Sequence, residues 1–456
     1  MRFDEAVNYL LSLGHETVAI KLGLDNIERL LAALDNPERA YPAVQIAGTN
    51  GKGSTAAMLD SICRAAGVHT GLYTSPHLVS IKERIRVDGR DITPREFARF
   101  ATRVRAAATE LQTRTGALPT FFEQVTAIAL LAFREARADL AILETGLGGR
   151  LDATTVARAS VVAITPIALD HQEYLGDTLE AIAAEKAAII HAGAAAAVVA
   201  VPQDRRARSV ITARCREFQI TPRFTTEDVR VHGADGTGRL RVTFKTRDDV
   251  YDKVQLSLRG RHQVWNAATA IALAEVLRER GLPITREAVV AGLETAEHAG
   301  RLEFIHGRPS LLFDGAHNAA GARALRDYLD EFAAGFQPVT LLFGAMRDKD
   351  LDEIAATLFP AARQLIFTRP PNPRAAGLDT LERLAAAHQG ESDDEAAFFE
   401  SPAEALGAAE RLTPRAGLVC VTGSLYLVGE IKSIRARRAR RKPQLIKIER
   451  GLNRGA

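Results

Sequence analysis

Short apolar runs alternate with longer helical patterns along most of this chain. Apolar runs lie at 43–47, 139–144, 160–165 and 196–201, and helical patterns lie at 94–113, 122–136 and 178–190. Such alternation favours a mostly parallel sheet with helices on both faces. We therefore predict an α/β fold for a first domain over residues 1–297.

One segment of this domain, 225–258, departs from the alternation. It contains VRVHG, LRVTF and VQLSL, in which apolar and polar residues alternate with a period of two. This period predicts a small antiparallel sheet. Helical patterns resume at 264–280 and 285–295.

A second alternating series begins after Gly300. The runs SLLFDG, PVTLLFGA, QLIFT and GLVCVTG read as strands, with helical patterns between them. A chain of 456 residues is long enough for two or three domains. We predict a second, Rossmann-like α/β domain at 298–435 and a basic tail at 436–456.

Charge and cysteine usage restrict the possible partners. The formal net charge is only +3, and the positive excess is concentrated between Arg435 and Lys442. This run could contact nucleic acid or anionic lipid, but a solvated, frayed C-terminus is the favoured interpretation. The three cysteines are widely separated and show no disulfide or zinc spacing.

The N-terminus MRFDEAVNYLLSLG lacks the basic and apolar regions of a signal peptide. No apolar stretch reaches the roughly 20 residues needed to span a bilayer. We therefore expect a cytoplasmic monomer with neither a membrane nor a nucleic acid as partner.

A glycine-rich turn, AGTNGKGS at 47–54, follows the first apolar run. Glycines allow backbone N–H groups to approach an anion, and the start of a helix adds a positive dipole. Lys52 could reach the outer phosphates of a nucleotide, and the hydroxyl of Ser54 or Thr55 could help hold magnesium. The extra glycine after the lysine departs from the common spacing, and a plain strand-to-helix turn is the alternative.

Polar residues also follow three other predicted strands. Ser75 follows HTGLY, Glu144 ends DLAILE, and Asp170 and His171 follow SVVAIT. Ligands bind beyond the carboxyl ends of parallel strands, so these side chains could converge on a divalent cation. Two of these residues could instead have an ordinary structural role, since His171 could be a hydrogen-bonded loop histidine and Glu144 a surface or helix-capping carboxylate.

Several longer motifs, taken together, resemble the folylpolyglutamate synthase and dihydrofolate synthase family within the Mur ligase group. They run in order from about residue 20 to 430: AGTNGKGS, GLYTSPHL, LETGLGGRLDAT, LDHQEYLGDTLEAIAAEKAAI, GRHQVWNAATA, GRLE, DGAHNAAG and TGSLYLVGE. The resemblance implies a ligase that uses ATP and magnesium to join L-glutamate to 7,8-dihydropteroate or a reduced folate. The carboxylate would be phosphorylated by ATP, and the amine of glutamate would displace the phosphate.

The resemblance implies that residues 1–297 form a P-loop-type ATPase domain that also binds the pterin, and that residues 298–435 form a glutamate ligase domain. It also implies roles for individual residues. ATP would lie between the two domains, and Lys52, Lys186 and His317 would serve the chemistry. Lys186 on its own reads as a solvated helix residue, but the family carries this lysine as a carbamate. Magnesium would be held by Ser75, Glu144 and His171. The residues expected to contact ATP are Asn50, Gly51, Lys52, Gly53, Ser54, Asn266, Arg301 and Asp314.

Two further segments match those that line the pterin pocket of the family. One comprises Thr120, Phe121, Phe122 and Glu123, and the other Leu151, Asp152 and Ala153. Either phenylalanine could stack on a flat ring or pack in the core.

The segment IKLGLDNIERLL at 20–31 resembles the bacterial enzymes that act on dihydropteroate, which favours a bifunctional enzyme. The alternatives are folylpolyglutamate synthase activity alone, or a Mur-type amino-acid ligase of cell-wall synthesis. Only 46 residues precede the glycine-rich turn, which counts against the latter because such ligases usually carry an N-terminal domain there. A nucleotide-regulated protein that binds nucleic acid through its basic tail is a rival of another class.

Overall fold

The computed structural model describes the backbone of residues 1–14, 23–388 and 396–452, and the side chains of these residues up to Ala439. The chain forms two compact units. The first comprises Met1–Asp235 and Arg239–His298, and the second comprises Gly236–Gly238 and the chain from Ala299 onward.

The first unit is built on a mostly parallel sheet. Within its described residues, eight strands lie in the order β4-β3-β2-β5-β1-β6-β7-β8, and every pair from β2 to β8 is parallel. The strands are β1 Ala43–Ala47, β2 Thr70–Tyr73, β3 Ile85–Val87, β4 Arg90–Asp91, β5 Leu140–Glu144, β6 Val161–Ile164, β7 Ala196–Val199 and β8 Pro222–Phe224. The central strands β1, β5 and β6 are buried along their whole length, as a sheet covered on both faces requires.

Helices cover this sheet. They are α1 Phe3–Ser12, α2 Asp25–Ala32, α3 Lys52–Ala65, α4 Pro94–Thr115, α5 Phe121–Glu135, α6 Gln172–Leu175, α7 Leu179–Ala187, α8 Arg205–Glu217, α9 His262–Glu279 and α10 Arg286–Thr295. Helix α3 is buried from Gly53 to Cys63 because it packs against both α9 and α10. The glycine-rich turn therefore leads into the interior of the unit.

The predicted antiparallel sheet is confirmed as β9 Val229–Ala234, β10 Leu240–Lys245 and β11 Val250–Gln255. The position predicted for its third strand, 254–258, was wrong, because β11 begins earlier and ends at Gln255. A register irregularity between Val242 and Phe244 displaces the pairing, so the regular period of two does not extend through β11.

The second unit has its own sheet. Within 299–388 and 396–452, six strands lie in the order β12-β13-β17-β14-β15-β16, and only the β12–β13 pair is antiparallel. The strands are β12 Glu303–Ile305, β13 Ser310–Phe313, β14 Val339–Phe343, β15 Gln364–Thr368, β16 Ala397–Phe399 and β17 Leu418–Thr422. The helices are α11 Ala319–Phe332, α12 Leu351–Leu358, α13 Leu378–His388, α14 Pro402–Leu412 and α15 Leu425–Leu452. The predicted α/β class is confirmed in both units.

The predicted basic tail does not begin as a separate segment, because α15 runs continuously from Leu425 to Leu452. None of the helices in the described parts of the chain combines the length and the apolar character needed to cross a bilayer.

Candidate active site

The glycine-rich turn leaves the carboxyl end of β1 and is fastened to the loop after β6. The amide of Thr49 donates to the carbonyl of Pro166 at 3.0 Å, and the Thr49 hydroxyl donates to the carbonyl of Ala168, also at 3.0 Å. Gly48 has a φ of +146°, and a Cβ there would lie 1.9 Å from the Thr165 hydroxyl. Only glycine fits this close approach of two loops.

Helix α3 begins without a side-chain cap. Gly51, its N-cap, has a φ of +88°, and the first helical turn contains no acidic residue. The first intrahelical hydrogen bond runs from the amide of Thr55 to the carbonyl of Gly51 at 2.9 Å, so the amides of residues 52 to 54 precede it. Amides at a helix start bind anions such as phosphate.

The side chain of Lys52 folds over the same turn. Its ammonium donates to the carbonyls of Gly48 and Thr49, at 3.1 and 3.2 Å. These are exchangeable partners, because an arriving phosphate offers a charged acceptor in place of a neutral carbonyl.

The two hydroxyls considered for magnesium have different surroundings. Ser54 Oγ lies 3.2 Å from both Gln263 Nε2 and His298 Nδ1. The Thr55 hydroxyl is buried and has no hydrogen-bond partner among the described residues. Ser54 is therefore the hydroxyl that other polar side chains surround.

The carboxyl end of β5 brings Glu144 to the turn. Glu144 is buried, its Oε2 accepts a hydrogen bond from the amide of Ser75 at 3.1 Å, and a Cβ on Gly53 would lie 3.2 Å from the same oxygen. Two of the predicted magnesium ligands and the phosphate turn are thus adjacent. This follows from the order β2-β5-β1, which aligns the three strand ends at one edge.

The third predicted ligand, His171, precedes α6 after the end of β6. Its backbone is left-handed, with a φ of +52°, and its amide donates to Asp170 Oδ1 at 3.0 Å. The described residues contain no group of three or more His, Cys, Asp or Glu side chains placed to hold a metal. Magnesium usually keeps waters and phosphate oxygens among its ligands, so a magnesium site does not require such a group.

Lys186 lies in the last turn of α7 and is buried, with a relative exposure of 5%. Burial and the nearby charge of Lys52 lower its pKa to about 7, while Asp170 and Asp152 oppose the shift. The interpretation as a solvated helix residue is therefore wrong. A neutral buried amine fits the carbamate that the resemblance implies.

The first predicted pterin segment begins α5. Thr120 and Glu123 form a capping box, in which the Thr120 amide donates to Glu123 Oε2 at 2.7 Å. Phe121 is buried, whereas Phe122 is partly exposed and would contact any Cβ on Gly146 at 2.5 Å. Of the two rings, Phe122 is the better placed to meet a ligand beside the β5 loop.

The second pterin segment is organised by Asp152. Its carboxylate accepts hydrogen bonds from the amides of Gly146, Leu147 and Thr154, at 2.8, 2.9 and 3.0 Å, and one from the Thr154 hydroxyl. Burial raises the pKa of Asp152 despite these donors. Ala153 is buried and Leu151 is partly exposed. Asp152 thus shapes the loop from within.

In the second unit, three predicted residues cluster after β13. Asp314 is buried and accepts from the amides of Leu302 and Ala316, both at 2.9 Å. Burial raises the pKa of Asp314, and the charge of Arg301 opposes the shift. His317 Nδ1 lies 2.7 Å from the carbonyl of Gly315, and a Cβ on that glycine would lie 3.4 Å from Arg301 Nη1.

Sequence reasoning overlooked two residues at the phosphate turn. Gln263 is fully buried, and it accepts from Asn266 Nδ2 at 2.9 Å while its own amide points to Ser54. The Asn266 Oδ1 in turn lies 2.2 Å from the position of a Cβ on Gly51. Gln263 stands one helical turn before Asn266 in GRHQVWNAATA, a spacing that could have indicated it. His298 carries no comparable signal.

Comparison with known proteins places the chain among Mur ligases. The Mur ligase middle domain matches residues 46–274, and the Mur ligase glutamate ligase domain matches residues 300–425. A probable bifunctional folylpolyglutamate synthase/dihydropteroate synthase of Halobacterium salinarum is 35% identical over 95% of this chain. This chain spans 52% of that relative's length.

The dihydrofolate synthase/folylpolyglutamate synthase of Bacillus subtilis is 34% identical over 92% of this chain and 96% of that protein. A solved structure of Mycobacterium tuberculosis folylpolyglutamate synthase complexed with ADP is similar with a TM-score of 0.86 and 31% identity. The similarity covers 95% of this chain and 98% of the other. Identity above 30% over nearly the whole of both proteins shows that this chain belongs to the dihydrofolate synthase/folylpolyglutamate synthase family of the Mur ligase group.

Proposed function

We propose that this protein is an ATP-dependent ligase that adds L-glutamate to 7,8-dihydropteroate and to reduced folates. The observation that carries the proposal is the grouping of the phosphate turn, the buried Glu144 and the buried Lys186 around the carboxyl ends of neighbouring strands. The proteins to which the chain is similar bear the names of both activities.

The reaction follows from the poor reactivity of a carboxylate as an acyl donor. A carboxylate oxygen of the pterin acid attacks the γ-phosphorus of ATP, and ADP leaves. The neutral amine of glutamate then attacks the acyl carbon, phosphate leaves, and the amine loses its proton to give the amide. The amides of the turn and the ammonium of Lys52 would neutralise charge on the phosphates.

Magnesium fits the oxygen donors at this edge of the sheet. Ser75 and Glu144 would offer oxygen donors, His171 is the third proposed ligand through a ring nitrogen, and the Ser54 hydroxyl is a further candidate. The ion would supply positive charge to the phosphate oxygens. The protein's part is to hold the Glu144 carboxylate in place, and the Ser75 amide at 3.1 Å does so.

Lys186 is the proposed site of a carbamate. With a pKa of about 7, a large fraction of the side chain is a neutral amine at physiological pH. The amine nitrogen attacks carbon dioxide, a nitrogen–carbon bond forms, and one proton leaves to solvent. The resulting carboxylate would face the ammonium of Lys52 across the site.

Phe122 and the loop organised by Asp152 are proposed to receive the pterin, with Thr120, Phe121 and Glu123 fixing the start of α5. Arg301, Asp314 and His317 of the second unit, and Asn50, Gly51, Gly53 and Asn266 of the first, are proposed to serve ATP. The support is the match of each motif to the family.

The bifunctional assignment rests on the relatives' names and on the segment at 20–31, of which residues 20–22 lie outside the described residues. Folylpolyglutamate synthase activity alone is the nearest alternative. We also propose that the protein is a cytoplasmic monomer, and the three buried cysteines, each without a disulfide within the described residues, support a reducing compartment.

The deciding experiment measures ADP formation with ATP, magnesium and glutamate, and with either dihydropteroate or a reduced folate. Turnover that needs both glutamate and a pterin acid supports the proposal. Turnover with the reduced folate alone would restrict it to the polyglutamylating activity. If turnover instead requires a nucleotide-linked muramoyl substrate, the protein is a cell-wall ligase and the proposal fails.

A further inference from the structure

The ring of His298 lies against the phosphate turn. His298 Nδ1 is 3.2 Å from Ser54 Oγ, and a Cβ on Gly53 would lie 2.7 Å from His298 Cε1. The same Cβ would lie 3.2 Å from Glu144 Oε2, so the imidazole and the carboxylate both border the Cβ position of one glycine. His298 is therefore part of the wall around the turn within the first unit.

The hydrogen bonds around Ser54 determine what its oxygen can do. Gln263 accepts from Asn266 through Oε1, and this fixes the opposite end, Nε2, as the donor to Ser54 Oγ. A serine hydroxyl carries one proton and two lone pairs. Gln263 occupies one lone pair, so the proton is available for His298 Nδ1 and one lone pair remains.

We propose that His298 is a positioning residue that holds Ser54 Oγ as an acceptor toward the cation that accompanies the nucleotide. By taking the serine proton at Nδ1, the imidazole prevents the hydroxyl from donating to a phosphate oxygen. The remaining lone pair then faces the space beside Gly53 that Glu144 also borders. The inference rests on the proposed function, because it assumes a nucleotide bound with a divalent cation.

Substitutions of His298 can distinguish two roles of the ring, namely filling space and accepting a proton at Nδ1. If the ring only fills space, any side chain of similar volume should serve. If Nδ1 must accept a proton, the substitute must place an acceptor at the same distance from Cβ. Asparagine does so through Oδ1, whereas alanine does not and glutamine places its amide one bond farther out.

The test compares the wild type with His298→Asn, His298→Gln and His298→Ala. Calorimetry measures the affinity for a non-hydrolysable ATP analogue with and without Mg²⁺, at one fixed pH for all four proteins. We expect His298→Ala and His298→Gln to lose about tenfold of the affinity gained from Mg²⁺, and His298→Asn to keep most of it. Affinity without Mg²⁺ should change little in all three.

His232 offers a matched control. Its Nε2 lies 2.8 Å from the Thr243 hydroxyl on the exposed antiparallel sheet, so His232→Ala removes a similar pair away from the turn. That variant should keep the full effect of Mg²⁺. Double substitutions separate the loss of this hydrogen bond from general misfolding. In a Ser54→Ala background the hydroxyl is absent, so His298→Asn and His298→Ala should give the same Mg²⁺ dependence.

An unchanged Mg²⁺ effect in His298→Ala would overturn the inference, as would equal losses in His298→Asn and His298→Ala with Ser54 present. The assay needs neither pterin nor glutamate, so its outcome is separate from that of the turnover experiment. If the wild type binds no nucleotide, the proposed function fails instead.

Discussion

At the scale of single residues, Lys186 is a buried group of the candidate site whose pKa is strongly lowered. In the unfolded chain the pKa of this lysine is about 10.4. In the folded protein the pKa is about 7, because the side chain is buried near Lys52. Between these values the unfolded state binds more protons, so the free energy of unfolding should rise with pH.

Replacing Lys186 by methionine should remove this dependence. In buffer free of carbon dioxide at about pH 6, Lys186→Met should be more stable than the wild type by about 5 kcal/mol, and the difference should shrink as the pH approaches 10. Urea unfolding at several pH values measures it. Lys253→Met, at an exposed lysine, is the control and should show no such trend. Parallel pH curves for the wild type and Lys186→Met would contradict the prediction.

The same variant should also abolish most turnover, since no carbamate can form on methionine. A gain in stability together with a loss of activity is the pattern expected where a charge is buried for function. Asp152 differs from Lys186, because its carboxylate is satisfied by four hydrogen bonds of its own loop.

At the scale of elements, the junction between β1 and α3 decides whether phosphate can bind. The glycines before and after α3 are required for different reasons. Gly51 has a left-handed backbone, and it also leaves no room for a side chain, because Asn266 Oδ1 would lie 2.2 Å from a Cβ. Gly67, just after α3, has a φ of +78° but nothing within 4 Å of such a Cβ.

This contrast gives a matched pair of substitutions. Gly51→Ala and Gly67→Ala should each lose about 1 kcal/mol of stability from left-handed strain. Only Gly51→Ala should also displace Asn266 and weaken nucleotide binding, by at least about tenfold. Thermal unfolding and nucleotide titration of both variants provide the check. Equal nucleotide affinity in the two variants would show that Asn266 does not matter at this turn.

Much of this edge was predictable from sequence because parallel strands bring their carboxyl ends together. Glu144 and Ser75 follow β5 and β2, and the structure joins them by a hydrogen bond. The contacts of Ser54 with Gln263 and His298 were not predictable, since they cross 209 and 244 positions of sequence. Such contacts depend on how α9 and the chain after α10 pack against α3, and no local pattern encodes that packing.

The sequence alone does not reveal that Asp152 serves its own loop. Asp152 matches a motif that lines the pterin pocket, yet its described contacts hold residues 146–154 together. The third antiparallel strand was misplaced because a register irregularity interrupts its period. The contacts of Asp152 lie within its own motif, whereas the register of the third strand depends on its pairing with β10.

At the scale of the whole molecule, each unit has its own sheet and contains some of the residues that are predicted to serve the reaction. In the second unit, α15 anchors the C-terminal region through the buried residues Leu427, Val428, Ile431 and Ile434. Farther along, Arg438 pairs with Glu410 at 3.1 Å. The packed part of this helix therefore ends before the most basic stretch.

A chain that ends at Ala439 should keep its fold and its ATP turnover, because every anchoring contact named above remains. A chain that ends at Ile431 should unfold at a lower temperature, since it loses Ile434 and the ion pair of Lys432 with Glu303 at 2.5 Å. Circular dichroism and ADP formation compare the two. Retention of nucleic acid by the full chain but not by the shorter ones would reveal a second activity of the basic segment.

The hydrogen bonds that fasten Thr49 to Pro166 and Ala168 have a consequence for protein engineering. The turn after β1 and the loop after β6 hold each other's backbone, so neither carries its conformation alone. If residues 47–55 were transplanted into another parallel sheet, the sequence of the motif would be transferred without the backbone conformation that the second loop supports. The transferable module is the pair of loops on adjacent strands, with Gly48 facing Thr165 as the joint between them.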